Sequence, residues 1–275
     1  MRHRLIPQIF CKAAGESKAP VLVPPKEGQV RVTWIGHASF FIQFPEHAIL
    51  IDPNWAKWHG IVKRERLPGL HIDAVPEVDL ILVSHAHFDH LHKPSLRTLK
   101  ARQGIVVPQG SRSLVKRLGF DSVHEMAIWD ELSFEEMDVV HTPSHHWGAR
   151  YIHDTHRDYG GYIVKAGGRS VFHCGDSAYF DEFKEIGKRH EVDIALMPIG
   201  AYDAPSGRDV HMNPEEAVQA FADLGANLMI PMHYGTFPLG GEQHSEPVER
   251  LLAEAERLGI RDRVIVPQEG EAVEV

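Results

Sequence analysis

The segment VDLILVSHAHFDHLH (78–92) runs from an apolar stretch straight into three histidines and an aspartate within residues 85–90. A continuous apolar run reads as a strand buried on both faces, so VDLILVSH (78–85) predicts a strand with packed layers on either side. The turn after that strand is not an ordinary polar loop. Imidazoles and a carboxylate this close repel or desolvate one another unless a cation lies among them. Residues two apart in an extended turn point the same way. His85 and His87 can therefore bind one ion together, while Asp89 and His90, just beyond, can face a second. Both side-chain types suit a catalytic metal such as zinc, with nitrogen ligands at about 2.0–2.1 Å and a position left open for water.

The rest of the chain repeats the theme of strands ending in polar residues. VRVTWI (30–35), SFFIQF (39–44) and HAILID (47–52) read as strands, with a hairpin turn at QFPEHA. MDVVHTP (137–143), GGYIVKA (160–166), SVFHCGD (170–176), VDIALMPIG (192–200), NLMIPMHYG (227–235) and RVIVP (263–267) read likewise. Helices are expected over 94–102, 111–119, 179–190, 213–225 and 247–259. The fourth has Asn213 as its N-cap, Pro214 as its first residue and Gly225 as its stop. Strands in hairpins followed by mixed strands and helices fit two sheets between helical layers, an α/β class. Residues 1–29, with the Pro-rich APVLVPPKEGQ (19–29), form a lead-in; the folded domain is expected over 30–275.

The polar residues that close those strands complete a ligand count. One ion would take His85, His87 and a third imidazole from SHHWG, either His145 or His146. A second would take Asp89, His90 and His233. Asp176 can bridge both, and two ions about 3.5–4 Å apart share a hydroxide and clamp a reacting group. Asp52, closing ILIDP, can orient a ligand histidine through its other ring nitrogen. His37, in GHAS, is expected on a tight turn near the cleft in a structural role, and His173 in the core. His92 is a further candidate partner.

Composition narrows the function classes. A chain of 275 residues, 43% hydrophobic, buries a core without staples. Its two cysteines, Cys11 and Cys174, suit a reducing compartment. The apolar piece LIPQIF is short for a secretion signal and no stretch reaches about 18 apolar residues, so a cytoplasmic protein is expected. A net charge of −9 without a basic stripe argues against nucleic acid.

VTWIGHASF, ILVSHAHFDHL, TPSHHWGAR, CGDSAYFDEFKEIGKR, MPIGAY, HMNPEEAV and MHYGTF together resemble the metallo-β-lactamase superfamily. Within it they resemble the N-acylphosphatidylethanolamine-hydrolysing phospholipase D branch and its bacterial relatives. The resemblance implies an αββα sandwich with a binuclear zinc site at one edge of the sheets. It places the ligand directly before the tryptophan, which selects His146. The implied metal set is His85, His87, Asp89, His90, His146, Asp176 and His233, with Asp89 and His211 as the catalytic candidates. His211 would contact substrate and donate a proton to the leaving group. Two Zn2+ are the expected cofactors, and Mn2+ or Fe satisfies the same ligands. A phosphodiesterase acting on a phospholipid or small diester is expected. The alternative is a lactonase acting on a sugar-phosphate or acyl lactone, with Tyr202 or Tyr234 polarising the carbonyl. Peripheral membrane contact and a homodimer complete what the resemblance implies.

Overall fold

The computed structural model describes residues 12–151 and 153–275, so Cys11 and the LIPQIF piece lie outside the described residues. The strands are β1 (Arg31–Gly36), β2 (Ser39–Gln43), β3 (Ala48–Ile51), β4 (Trp58–His59), β5 (Val62–Lys63), β6 (Leu80–Leu82), β7 (Ile105–Pro108) and β8 (Val123–Met126). They continue as β9 (Glu131–Phe134), β10 (Met137–Thr142), β11 (Gly161–Ala166), β12 (Arg169–His173), β13 (Ile194–Pro198), β14 (Leu228–Met232) and β15 (Ala272–Glu274). The helices are α1 (Lys93–Thr98), α2 (Arg112–Val115), α3 (Phe183–Arg189), α4 (Pro214–Leu224) and α5 (Glu246–Arg257).

Two sheets carry the core. One has the order β15-β1-β2-β3-β6-β7-β8 and the other β14-β13-β12-β11-β10-β9. Alternation along the strands decides which layer each side chain joins. Ile49 and Ile51 of β3 and Leu80 and Leu82 of β6 face the large core shared with the second sheet. Leu50 and Ile81, between them in sequence, face the opposite cluster with Leu96 of α1 and Val115 of α2. Phe183 and Ile186 of α3, Phe221 of α4 and Leu251 of α5 also join the large core. The result is the αββα sandwich, and β6 is buried on both faces as its apolar run requires.

Strand direction positions the site. β3, β6 and β7 pair in parallel, as do β12, β13 and β14. β10 and β12 both lie antiparallel to β11, so they point the same way. The chain therefore leaves β3, β6, β10, β12 and β14 at matching edges, where ligand-binding residues of open sheets gather.

Several expectations are corrected. RVIVP (263–267) makes no ladder: Val264 forms one bridge to Met229 and Ile265 N–H donates to the Met229 carbonyl. Pro267, with no N–H, cannot extend it. The helix expected over 94–102 stops at Thr98 because Ala101 leaves to bridge Val78. Those expected over 111–119 and 179–190 shrink to α2 and α3. β7, β8, β9 and β15, each of three or four residues, are additions that the sequence reading lacks.

α4 forms as its sequence dictates. The Asn213 side chain accepts from Glu216 N–H at 2.9 Å, while the Glu216 carboxylate accepts from Asn213 N–H at 3.1 Å. Gly225 closes the helix at φ 70°, where a side chain is penalised. Asn213→Ala is expected to lower the stability of the metal-free chain by about 1 kcal/mol, read as a lower urea midpoint at unchanged m-value.

Candidate metal centre

Seven side chains converge where those strand ends meet. His85 follows β6, His146 lies on the loop after β10, Asp176 follows β12 and His233 follows β14. His85 Nε2 lies 2.9 Å from His87 Nδ1, which lies 3.2 Å from His146 Nε2. Asp176 Oδ2 is 3.0 Å from His233 Nε2 and 3.2 Å from His90 Nε2. The same oxygen is 3.9 Å from both His85 Nε2 and His146 Nε2, so it faces both groups. Asp89 Oδ2 stands 3.7 Å from His90 Nε2 and 3.8 Å from His233 Nε2. His145 is exposed and pairs through its backbone with Ala178. The structure therefore brings His146, not His145, into the group.

Hydrogen bonds on the far side of the rings fix where the lone pairs point. His146 Nδ1 lies 3.0 Å from the Val210 carbonyl, which only accepts, so Nδ1 carries the proton and Nε2 is bare. His90 Nδ1 donates to Asp52 Oδ2 at 2.7 Å. Ser84 Oγ donates to that carboxylate at 2.6 Å, leaving the hydroxyl oxygen to accept from His85 Nδ1 at 2.9 Å. Bare nitrogens of His85 and His146, together with the inner nitrogen of His90, thus face one another and a carboxylate in the interior. His87 Nε2, His90 Nε2, Asp176 Oδ1 and both ring nitrogens of His233 are buried without a hydrogen-bond partner. Such an arrangement is costly for protein alone and is satisfied by cations at its centre. The donor chemistry fits ions that accept nitrogen and oxygen ligands.

Asp52 occupies the expected position behind His90, and Ser84 N–H also donates to it at 2.7 Å. His173 is a core residue whose Nε2 donates to the Ala38 carbonyl at 2.8 Å. His92 caps α1 instead of reaching the site, accepting from Ser95 N–H at 3.3 Å. His211 does not cap α4, since Asn213 does. Its ring stacks on that of His233 at 5.2 Å, with Nδ1 4.0 Å from Asp176 Oδ2. His37 exceeds its expected role, and Arg150 is a supporting residue that the sequence motifs do not single out. His37 Nε2 donates to Asp89 Oδ2 at 2.9 Å. Arg150 Nη1 donates to the carbonyls of Ala86 and Leu91 at 2.8 and 2.9 Å, bracing the ligand loop from a position shortly after His146. The sequence signal for the second is the arginine that ends WGAR, a buried charge close behind a ligand.

A cleft of about 330 Å³ opens on the group. It is lined by His87, Asp89, His146, Asp176, His211 and His233, and by the less polar Trp147, Pro205, Ser206, Val210 and Leu239. Neither Tyr202 nor Tyr234 lines it. Tyr202 donates to Glu246 at 3.0 Å and Tyr234 stacks on Trp34 at 5.0 Å.

The two halves of the site differ in charge. Burial and neighbouring imidazoles push His85 well below its ordinary range. Burial takes His87 and His146 down to about 4, so these rings are neutral at pH 7. Burial also disfavours charge on His90 and His233, but Asp176 and the other carboxylates outweigh it. His90 is raised well above its ordinary range and His233 to about 9. Protons thus hold the place of a cation in the second half. Loading zinc at pH 7 is expected to release protons, chiefly from His90 and His233. Calorimetric titration in buffers of different ionisation enthalpy measures this, and bound zinc should be lost on acidification.

Comparisons with known proteins agree with this geometry. Residues 47–234 match the family model described as a beta-lactamase superfamily domain. A metal-dependent hydrolase of Methanopyrus kandleri is 33% identical over 256 residues, covering 89% of this chain and 100% of that protein. The mitochondrial N-acyl-phosphatidylethanolamine-hydrolyzing phospholipase D of Saccharomyces cerevisiae is 32% identical over 280 residues, covering 94% of this chain and 60% of that protein. A solved metallo hydrolase from Ignicoccus hospitalis superposes with a TM-score of 0.70 at 24% identity, covering 90% of this chain and 98% of that one. The chain belongs to the metallo-β-lactamase superfamily and is one of its metal-dependent hydrolases.

Proposed function

We propose that this chain is a phosphodiesterase of the N-acylphosphatidylethanolamine phospholipase D type, working with two zinc ions. His85, His87 and His146 would hold one ion, Asp89, His90 and His233 the other, and Asp176 both. Two such ions supply hydroxide at neutral pH and neutralise charge that develops on a phosphoryl oxygen. Asp52, through His90, and His37, through Asp89, keep ligand atoms aimed inward. His211, on the cleft wall, is taken down to about 4 by burial, so it would serve the departing alkoxide through the ring N–H of a neutral imidazole.

The observation that carries the diester reading is the cleft lining. No lysine or arginine lines it among the described residues. A diester brings one negative charge, which the metal centre can neutralise alone. A sugar-phosphate lactone brings a further phosphate with about −1.5 to −2 charge and would find no cationic side chain to pair it. The tyrosines that a lactonase would use to polarise a carbonyl are engaged elsewhere. Trp147, Pro205, Val210 and Leu239 instead offer an apolar wall. Trp147, which lines the cleft, is 49% exposed, and Phe88 and Tyr151, which pack on each other, are 45% and 55% exposed. Exposed aromatic side chains of this kind suit an amphiphilic substrate and peripheral contact with a lipid surface. No helix of the described residues is long and apolar enough to cross a membrane. A cytoplasmic location and a homodimer remain part of the proposal.

The test is turnover of N-acylphosphatidylethanolamine by the zinc-loaded chain, with phosphatidic acid measured by mass spectrometry. Release is expected, and His85→Ala should abolish it. Asp176→Asn is expected to lose both activity and metal. No release from a folded chain carrying two zinc ions overturns the phospholipid substrate, and a metal-replete, active D176N overturns the bridge.

His211→Asn provides a second check. Its effect on kcat should be large, about 10²-fold or more, for a diester leaving as an alkoxide. It should be small for a p-nitrophenyl diester, whose leaving group needs no proton. Equal losses on both substrates would remove His211 from the role of proton donor.

A further inference from the structure

His37 is a histidine where the backbone does not favour one. Its φ is 56°, in the left-handed region. Such a conformation persists only where the surroundings over-determine it. Here they do so at every backbone group. The His37 N–H donates to Thr236 Oγ1 at 2.8 Å. Its carbonyl accepts from the Trp34 indole N–H at 2.9 Å and from His233 N–H at 3.0 Å. The side chain is 1% exposed. Its ring packs on that of His233 at a centroid distance of 4.1 Å, and its Nε2 meets Asp89 Oδ2 at 2.9 Å. One residue therefore touches two members of one donor set and none of His85, His87 or His146 through a hydrogen bond.

We propose that His37 is a positioning residue for the second donor set: it aims the Asp89 carboxylate by side-chain donation and sets the His233 backbone through its carbonyl. This rests on the two-ion reading above. His233 itself has φ 61°, so its ring direction depends on that strained backbone being held. The β1–β2 turn thereby joins two ligands that arrive from different sheets, Asp89 after β6 and His233 after β14. A turn that only connected strands would be served by glycine or asparagine at this φ. The imidazole is the part that connection does not need.

Zinc affinities of the full chain, measured in two steps by chelator competition, test this. Asparagine tolerates a left-handed φ but places its amide nitrogen where Nδ1 stands, out of reach of Asp89. His37→Asn is therefore expected to weaken the second zinc step about 10- to 100-fold and to leave the first within about threefold. His37→Gln carries its amide nitrogen to the Nε2 position and should recover much of the loss. Cobalt substitution gives an independent readout, with the visible absorption of the second ion altered in H37N and that of the first unchanged. Where H37N does not fold, Thr236→Val removes the hydroxyl that pins the His37 amide and should give a smaller loss confined to the second step. Two undisturbed steps, or equal weakening of both, overturns the proposal while the two-ion reading stands. A wild-type chain that takes up one zinc only overturns that reading and this inference with it.

Discussion

Imidazole nitrogens and carboxylates held face to face at the buried end of a cleft are what the rest of this molecule is arranged around. His85, His90 and His146 each have the outer ring nitrogen committed to an acceptor, through Ser84, Asp52 and the Val210 carbonyl. That commitment turns each inner nitrogen toward the centre, bare on His85 and His146 and, on His90, beside the Asp176 carboxylate that favours a proton there. Water could relieve the conflict in a loose loop by letting the rings rotate. Here His85 and His90 are essentially inaccessible, so rotation would break a buried hydrogen bond at a cost of about 1–3 kcal/mol. The chain keeps these nitrogens aimed inward whether or not anything fills the centre. A preorganised donor set of this kind lets ion affinity go into binding and not into ordering ligands.

Only a rigid frame can hold so many groups within such distances, and the sheets supply it. Ligands and their supports arrive from segments as far apart in sequence as His37 and His233, yet each leaves a strand whose neighbours fix its direction. β3 leads into Asp52 and β6 into the His85 loop, and the two strands are adjacent and parallel. Asp52 therefore sits beside the residues it orients. Arg150 does the corresponding work between the ligand loop and the His146 segment, with its guanidinium 4.0 Å above the Phe88 ring. Its buried position costs solvation, and the two carbonyls it serves offset part of that cost.

Much of this is legible in the sequence, for identifiable reasons. The run 85–90 stands out because no protein-only environment tolerates its composition. Asn213, Pro214 and Gly225 mark α4 because capping chemistry is local. Asp52 can be read as an orienting carboxylate because it ends an apolar strand. Other features are not local. His145 and His146 are indistinguishable by spacing, and only the pairing of His145 with Ala178 turns the other ring inward. His37 reads as a turn residue because its partner, Asp89, is 52 positions away. Tyr202 and Tyr234 have the chemistry of site residues, but packing commits them to Glu246 and Trp34. RVIVP has strand composition, but Pro267 and a single bridge decide against it. The short strands β8 and β9 escape a sequence reading because neither is continuously buried, which weakens the apolar signal.

The lining of the cleft ties recognition to catalysis under the proposed reading. An arginine or lysine in the cleft would let substrate binding and chemistry be separated by mutation. This cleft offers neither among the described residues. The charge of a diester would be met only by the ions, with the apolar wall of Trp147, Val210 and Leu239 handling the substituents. Loss of either ion should then weaken ground-state binding and transition-state stabilisation together, since both draw on the same positive charge. The asymmetry of the two halves sharpens this. The donor set of His85, His87 and His146 is neutral near pH 7 and open to a cation. The set of Asp89, His90 and His233 must first give up protons. Substrate recognition in such a site would be governed at its acidic limit by occupancy of the second position, so pH would act on binding through the ligands of an ion.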